Sequence, residues 1–142
     1  MDIAEITEWV SQWKPTHFIT LNLLPNINNP PKEQCEKIIT GAFNCIQRWS
    51  YNRHFKPPEK ILAIGWQEIG IKSMRNHFHI IIRFPPHRID RQSPIDTLQR
   101  AWAHCARGIG AEIWTAPISN ATGAIVYSQK QNGGANNPYI YL

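Results

Sequence analysis

The sequence has few cysteines and no long apolar run, and these two shortages exclude several classes of protein. Its three cysteines, Cys35, Cys45 and Cys105, are odd in number and form no CxxC pair. A disulfide framework or a zinc knuckle would need other numbers or spacings. No apolar stretch approaches the length of a membrane span, and no signal-peptide pattern opens the chain. We therefore expect reduced thiols in a soluble intracellular protein, in a prokaryotic cytoplasm or a eukaryotic nucleus.

Charge is also sparse, although its balance is basic. Charged residues make up 18% of the 142 residues and hydrophobic residues 42%, a composition typical of a globular chain. We expect a single domain over residues 1–142, because this length is too short for two ordinary domains. The formal net charge of +5 favours a polyanionic partner.

Hydrophobic periodicity predicts a mixture of helices and strands. A helix over 2–13 begins with Asp2 and Glu5 at the spacing of a capping box, and Pro15 ends it. In the next strand, over 17–24, Ile19 and Leu21 share an apolar face that should meet helices. The further predicted elements are a long helix over 32–51, a hairpin of strands over 61–69 and 77–84, a helix over about 94–107, a strand over 111–118, a helix over about 121–131, and a short tail over 132–142, either flexible or packed back as an extended segment.

The second hairpin strand carries two histidines one residue apart. Its sequence, NHFHIIIRF over 76–84, continues with β-branched residues that are typical of a strand. Because side chains alternate along a strand, His77 and His79 project from one face, and Phe78 and Ile80 from the other. A lone HxH is more often a polar solvent-facing pair than a metal site. The residues around this one favour a metal.

Glu68 lies near the end of the preceding hairpin arm. Across the hairpin its carboxylate could reach the face of the two imidazoles, while Gln67 points the opposite way. Two histidines and one carboxylate leave open positions on a divalent metal, as catalysis requires. The alternative is an exposed carboxylate at a strand end. On the last predicted helix, Tyr127 and Lys130 share a face, a common pattern that alone indicates nothing.

Three motifs in order resemble the nicking domain of rolling-circle replication initiators, the Rep proteins of small circular single-stranded DNA replicons, which are HUH endonucleases. The motifs are FITLNL over 18–23, HFH over 77–79 and YSQK over 127–130. The resemblance spans about residues 16–131. Leu21 and Asn22 stand where many relatives carry an aromatic residue and a proline. The last helix has no second catalytic tyrosine, and no ATPase P-loop occurs, so any helicase activity lies elsewhere.

This resemblance implies an α+β fold of the ferredoxin/RRM-like type, with an antiparallel central sheet of four to five strands and helices packed on one face. On the open face, His77, His79 and Glu68 would hold Mn²⁺ or Mg²⁺. Tyr127 would be the nucleophile of a sequence-specific endonuclease and strand transferase, with Lys130 beside it. The partners would be single-stranded origin DNA with a stem-loop and the host replication machinery. No membrane partner is expected. The expected DNA-binding residues are Thr20, Asn22, Lys72, Arg75 and Arg83.

Three alternatives stay open. A single-tyrosine HUH transposase shares the HxH and the helical tyrosine, and Gln131 would suit a helical metal ligand there. A non-catalytic single-stranded nucleic-acid-binding module uses the same plan, but stacks bases on sheet aromatics where this strand has imidazoles. A nucleotide hydrolase of the histidine-triad type needs a further histidine where Ile81 stands.

Overall fold

The computed structural model describes residues 2–23, 32–51, 60–69, 76–86, 93–107, 110–118, 120, 123–125 and 138–141. Its helices and strands follow the hydrophobic periodicity closely. Residues 123–125 are helical and fall inside the last predicted helix, most of which lies outside the described residues. The elements are α1 (Ile3–Gln12), β1 (His17–Leu23), α2 (Lys32–Ser50), β2 (Leu62–Ile69), β3 (Asn76–Arg83), α3 (Pro94–Cys105), β4 (Gly110–Pro117) and β5 (Tyr139–Tyr141).

The strands form one five-stranded sheet in the order β4-β1-β3-β2-β5. Every neighbouring pair is antiparallel, including the predicted β2–β3 hairpin. The fifth strand comes from the predicted tail, which packs back against β2 with Tyr141 opposite Ala63. The α+β fold with an antiparallel sheet is therefore confirmed, and β3, which carries the two histidines, is its middle strand.

The main core lies between one face of the sheet and the helices α2 and α3. Ile19 and Leu21 of β1 point into it, as their alternation with polar neighbours predicts. At the edge of the core, the Tyr139 hydroxyl and Thr40 Oγ1 are 2.7 Å apart, and the Tyr141 hydroxyl donates to Asn44 Oδ1 at 2.7 Å. These bonds attach β5 to α2. Other buried members of this core are Ile39, Phe43, Ile46, Phe78, Ile80, Leu98 and Trp102.

A second, smaller core lies on the opposite face, beneath α1. The predicted capping box is present: Asp2 Oδ1 accepts from the Glu5 amide and Glu5 Oε2 from the Asp2 amide, both at 2.8 Å. The expectation of helices on one face holds for α2 and α3 and is wrong for α1. The physical reason is that this face also carries apolar side chains, Ile64 and Trp66 of β2 and Ile81 of β3, which must be covered. The buried members are Ile6, Val10, Trp13, Ile64, Trp66, Ile81 and Ile125.

The cysteines are free thiols, as expected. The sequence did not predict that Cys45 of α2 and Cys105 of α3 would meet, with their Sγ atoms 3.9 Å apart. Within the described part of the chain, no helix combines the length and the apolar character needed to cross a membrane.

Candidate metal centre on the histidine face

The middle strand gives each of its histidines a neighbour on both sides. Residues directly opposite one another on paired strands lie on the same face of the sheet. His77 and His79 therefore belong to two adjacent rows that run across three strands. These rows are Asn22–His77–Glu68 and Thr20–His79–Trp66. We call the side of the sheet that carries them the histidine face.

The two imidazole rings lie side by side, as strand alternation predicts. Their centroids are 6.5 Å apart and their planes differ by 21°. Phe18 of β1 stacks on His79 at a centroid distance of 5.7 Å and an angle of 13°. His79 is only 7% exposed, whereas His77 is half-buried. Packing thus limits the orientations that both rings can take, which favours a preformed site.

Side chains of β1 hold the Nδ1 atom of each ring. His77 Nδ1 donates a hydrogen bond to the amide oxygen Oδ1 of Asn22. Since that oxygen can only accept, the proton of a neutral His77 ring is on Nδ1 and the lone pair is on Nε2. His79 Nδ1 and Thr20 Oγ1 are hydrogen-bonded at 3.3 Å. Histidine ligands of metals are commonly held in this way, through the ring nitrogen that does not bind the metal.

These contacts add a role for Asn22 and Thr20 to the one that the sequence predicts. Asn22 is 7% exposed and its amide oxygen is engaged with His77, so little of this side chain is open to DNA. Thr20 is half-buried beside His79. Orientation of the imidazoles is therefore the role that the geometry gives both residues. Their contact with DNA stays a prediction.

The backbone register brings Glu68 to the position expected of it, directly opposite His77. Its side chain lies outside the part of the structure that is described. Among the side chains that are described, no three His, Cys, Asp or Glu residues group as metal ligands. Metal binding by His77, His79 and Glu68 accordingly stays a prediction. Two imidazole nitrogens and one carboxylate suit Mn²⁺ better than Mg²⁺, which prefers oxygen ligands alone.

Four of the predicted site residues, Tyr127, Lys130, Lys72 and Arg75, lie outside the described residues. Arg83 is described, at the end of β3, and its Nη2 donates to the backbone carbonyl of Lys60 at 2.7 Å. This bond ties the end of β3 to the residues that precede β2. A contact between Arg83 and DNA is still a prediction.

The chemistry open to the histidine face follows from its donor set. Two oriented imidazoles, with a carboxylate position opposite one of them, can bind a divalent ion and leave coordination positions for a phosphate oxygen.

Sequence reasoning missed the Asn22–His77 contact, since alternation shows which residues share a face but not which strands pair. A scan against protein-family models, a search of curated proteins and a search of solved structures each find no match to this chain.

Proposed function

We propose that this protein is a metal-dependent nickase and strand transferase for single-stranded DNA, of the kind that initiates rolling-circle replication. The observation that carries the proposal is the imidazole pair on the middle strand, with each Nδ1 held by a side chain of β1. A solvent-facing polar pair would need no such support. The order of the three sequence motifs then distinguishes a nickase from other metal enzymes.

The finer fold assignment rests on the same strand. We assign the five-stranded sheet to the HUH endonuclease type of the ferredoxin/RRM-like fold, because the paired histidines lie on its middle strand. A divalent ion held by both histidines would lie at the broad surface of the sheet. A single-stranded substrate can lie across such a surface, whereas a deep pocket would admit only a small molecule.

In the proposed reaction, His77, His79 and Glu68 would hold a divalent ion. When bound, Mn²⁺ or Mg²⁺ would polarise a phosphate oxygen and offset the charge that develops on it. The Tyr127 oxygen attacks phosphorus in line and loses its proton, and the 3′-oxygen of the upstream nucleotide leaves and gains one. The products are a 5′-phosphotyrosyl link and a free 3′-hydroxyl, which a polymerase of the host machinery can extend. Attack by a new 3′-hydroxyl reverses the step and rejoins the strand.

Tyr127 needs activation, because a phenol has a pKa of about 10. The ammonium group of Lys130, one helical turn away in the predicted helix, would stabilise the phenolate or contact the phosphate. Ile125, two residues before Tyr127 in the sequence, is buried with Trp66 and Ile81 on the histidine face. At Ile125 the chain therefore lies on the histidine face, which supports the proposal that the nearby Tyr127 acts there.

Metal binding is the first step to test. We expect Mn²⁺ to bind the protein in isothermal titration calorimetry and to raise its thermal unfolding midpoint, since a ligand of the folded state stabilises it. His77→Ala and His79→Ala should lose both effects. His104→Ala is the matched control, because His104 is exposed on α3. Equal Mn²⁺ binding by all three variants would exclude the histidine face as the metal centre.

The covalent intermediate is the decisive test. Labelled single-stranded oligonucleotides with candidate origin stem-loops are incubated with protein and Mn²⁺ or with chelator, and separated on a denaturing gel. We expect a metal-dependent protein–DNA adduct that Tyr127→Phe abolishes without loss of DNA binding. Tyr141→Phe, a buried tyrosine in the main core, should still form it. An adduct with Tyr127→Phe would refute the assignment, and tight binding with no adduct would favour the non-catalytic binding module.

A further inference from the structure

The two sides of the histidine face differ in what covers them. On β2, Ile64 and Trp66 are almost fully buried beneath α1. On β4, the edge strand on the opposite side of β3 from β2, Trp114 is 65% exposed and Ala116 is also exposed. Thr20 of β1, between the histidines and this edge, is half-buried. Within the described residues, the open approach to His79 therefore runs over β1 and β4.

Trp114 lies on this approach, in the row of His79. It is opposite Thr20 in the β1–β4 pair, and Thr20 is opposite His79 in the β1–β3 pair. Two strand spacings amount to about 10 Å between the Trp114 and His79 backbones. That distance is one that a short run of nucleotides spans. An exposed aromatic side chain alone marks no site, but Trp114 also shares a row with a histidine of the candidate metal centre.

The chemistry of the indole ring identifies its partner. Unpaired bases stack on aromatic side chains in proteins that bind single strands, and every base offers a flat face for such a contact. The net charge of +5 favours a polyanion over an uncharged ligand. The other large hydrophobic side chain exposed within the described residues, Ile140, is on β5 at the opposite edge and offers no ring.

We infer that Trp114 stacks on a base of the DNA strand near the scissile phosphate, so that the strand enters the histidine face over β4 and not over β2. This inference rests on the proposed function for the identity of the ligand. It adds a DNA-binding residue outside the three sequence motifs. It also gives the substrate a direction across the sheet.

The test measures binding without chemistry. In a Tyr127→Phe background with chelator present, fluorescence anisotropy gives the affinity for labelled single-stranded DNA of mixed and homopolymer sequence. We expect Trp114→Ala to weaken binding by about five- to a hundredfold, the loss of one base stack, and Trp114→Phe to retain most of the affinity. The parent protein in this assay is the Tyr127→Phe variant. Ile140→Ala, the matched control at the other edge of the sheet, should bind DNA with the affinity of this parent. Equal affinity of Trp114→Ala and the parent would overturn the inference.

An abasic scan identifies the stacked base. Oligonucleotides lacking one base at a time are bound to the parent and to Trp114→Ala. At the stacked position the two proteins should bind equally, because the ring has lost its partner. If Trp114→Ala bound more weakly than the parent by the same factor whichever base was missing, the inference would be overturned. It would also be overturned by a Trp114→Ala variant that changes the oligomeric state in size-exclusion chromatography with light scattering but keeps its DNA affinity, since Trp114 would then face another protein.

The two proposals fail separately. If wild-type protein forms the Tyr127 adduct, and Trp114→Ala binds DNA with the same affinity and forms the adduct equally well, the stacking inference is wrong and the nickase stands. If binding depends on Trp114 but no adduct forms on any origin-like DNA, the stacking inference stands and the nickase is wrong. No binding of single-stranded DNA by the parent would overturn the inference, and the adduct gel would then decide the nickase by itself.

Discussion

At the scale of single residues, Asn22 is the side chain whose role depends most on its neighbours. Strand alternation puts it on the face of Thr20, and a polar residue there is ordinarily a solvent-facing group. The register of β1 against β3 instead places it opposite His77, where its amide oxygen accepts from Nδ1. A hydrogen bond of this kind fixes the ring orientation and the tautomer that a metal requires.

The first prediction concerns this contact. We expect Asn22→Ala to lower Mn²⁺ affinity by about 10- to 100-fold, because His77 loses the group that orients it. Asn22→Asp should keep the affinity, since a carboxylate accepts the same proton. Calorimetric titration measures both, with Gln67→Ala as the control, because Gln67 is opposite Phe78 in the register, on the other face of the sheet. An Asn22→Ala variant that binds Mn²⁺ normally would contradict an orienting role.

The second prediction concerns the thiol pair between α2 and α3. Burial, with a smaller contribution from the neighbouring Cys45, raises the pKa of the Cys105 thiol to about 11. Because the thiolate is the nucleophile, alkylation of Cys105 by iodoacetamide in the folded protein should be slow at neutral pH and should accelerate as the pH rises toward that value. Mass spectrometry of quenched samples follows the rate. Fast labelling of Cys105 at neutral pH would show that the thiol is more accessible than its packing indicates.

At the scale of elements, two glycines beside the main core are expected to respond in opposite ways to the same substitution. A Cβ atom on Gly65 of β2 would lie 2.7 Å from Ile80 Cγ1 and 2.8 Å from the His79 carbonyl oxygen. A Cβ atom on Gly41 of α2 would meet Cys105 Sγ at 3.8 Å, an ordinary contact. β2 and β3 therefore approach closely because Gly65 has no side chain, whereas Gly41 only weakens its helix.

The third prediction follows from this contrast. Gly65→Ala should lower the free energy of unfolding by about 1–3 kcal/mol through overpacking. It should also weaken Mn²⁺ binding, because the clash pushes on the backbone of His79. Gly41→Ala should raise the free energy of unfolding by about 0.5–1 kcal/mol, since alanine favours the helix. Urea denaturation of both variants measures the changes, and a shift of the same sign in both would contradict the packing described.

At the scale of the whole molecule, the sheet divides two environments. One face is closed by α2 and α3. The other, as far as the described residues show, is closed by α1 over β2 and open toward β4. His17, at the start of β1, is partly buried, with its ring 5.4 Å from that of Phe84. Burial lowers the pKa of His17 below its usual 6.5. The folded protein therefore binds this proton less readily than the unfolded chain does.

The fourth prediction is the pH dependence that results. Because the unfolded chain takes up more protons, His17 should lower the stability of the fold as the pH falls through 6.5, and should have no such effect well above it. In His17→Asn the free energy of unfolding should fall less steeply over this range. Urea denaturation at a series of pH values, with chelator present, tests it against Ser11→Ala, an exposed change on α1. An unchanged slope in His17→Asn would assign the pH dependence to other groups.

The sequence by itself determined the helices α1 to α3, the strands β1 to β4, and which side chains of a strand share a face. Hydrophobic periods placed α1, α2 and α3, and alternation put His77 and His79 together, because both signals depend on neighbours a few residues apart in the chain. The sequence did not determine the conformation of the tail, since Tyr139–Tyr141 could extend into solvent or pair with a strand.

Tertiary structure alone decided how distant segments meet. In the tertiary structure, β5 pairs with β2 and α1 packs on the histidine face. Cys45 lies beside Cys105, and Asn22 is hydrogen-bonded to His77. Each of these outcomes depends on which apolar surfaces bury one another and on the register of strands far apart in the chain. Local periodicity carries no information about either choice, because every strand with one apolar face satisfies the same pattern.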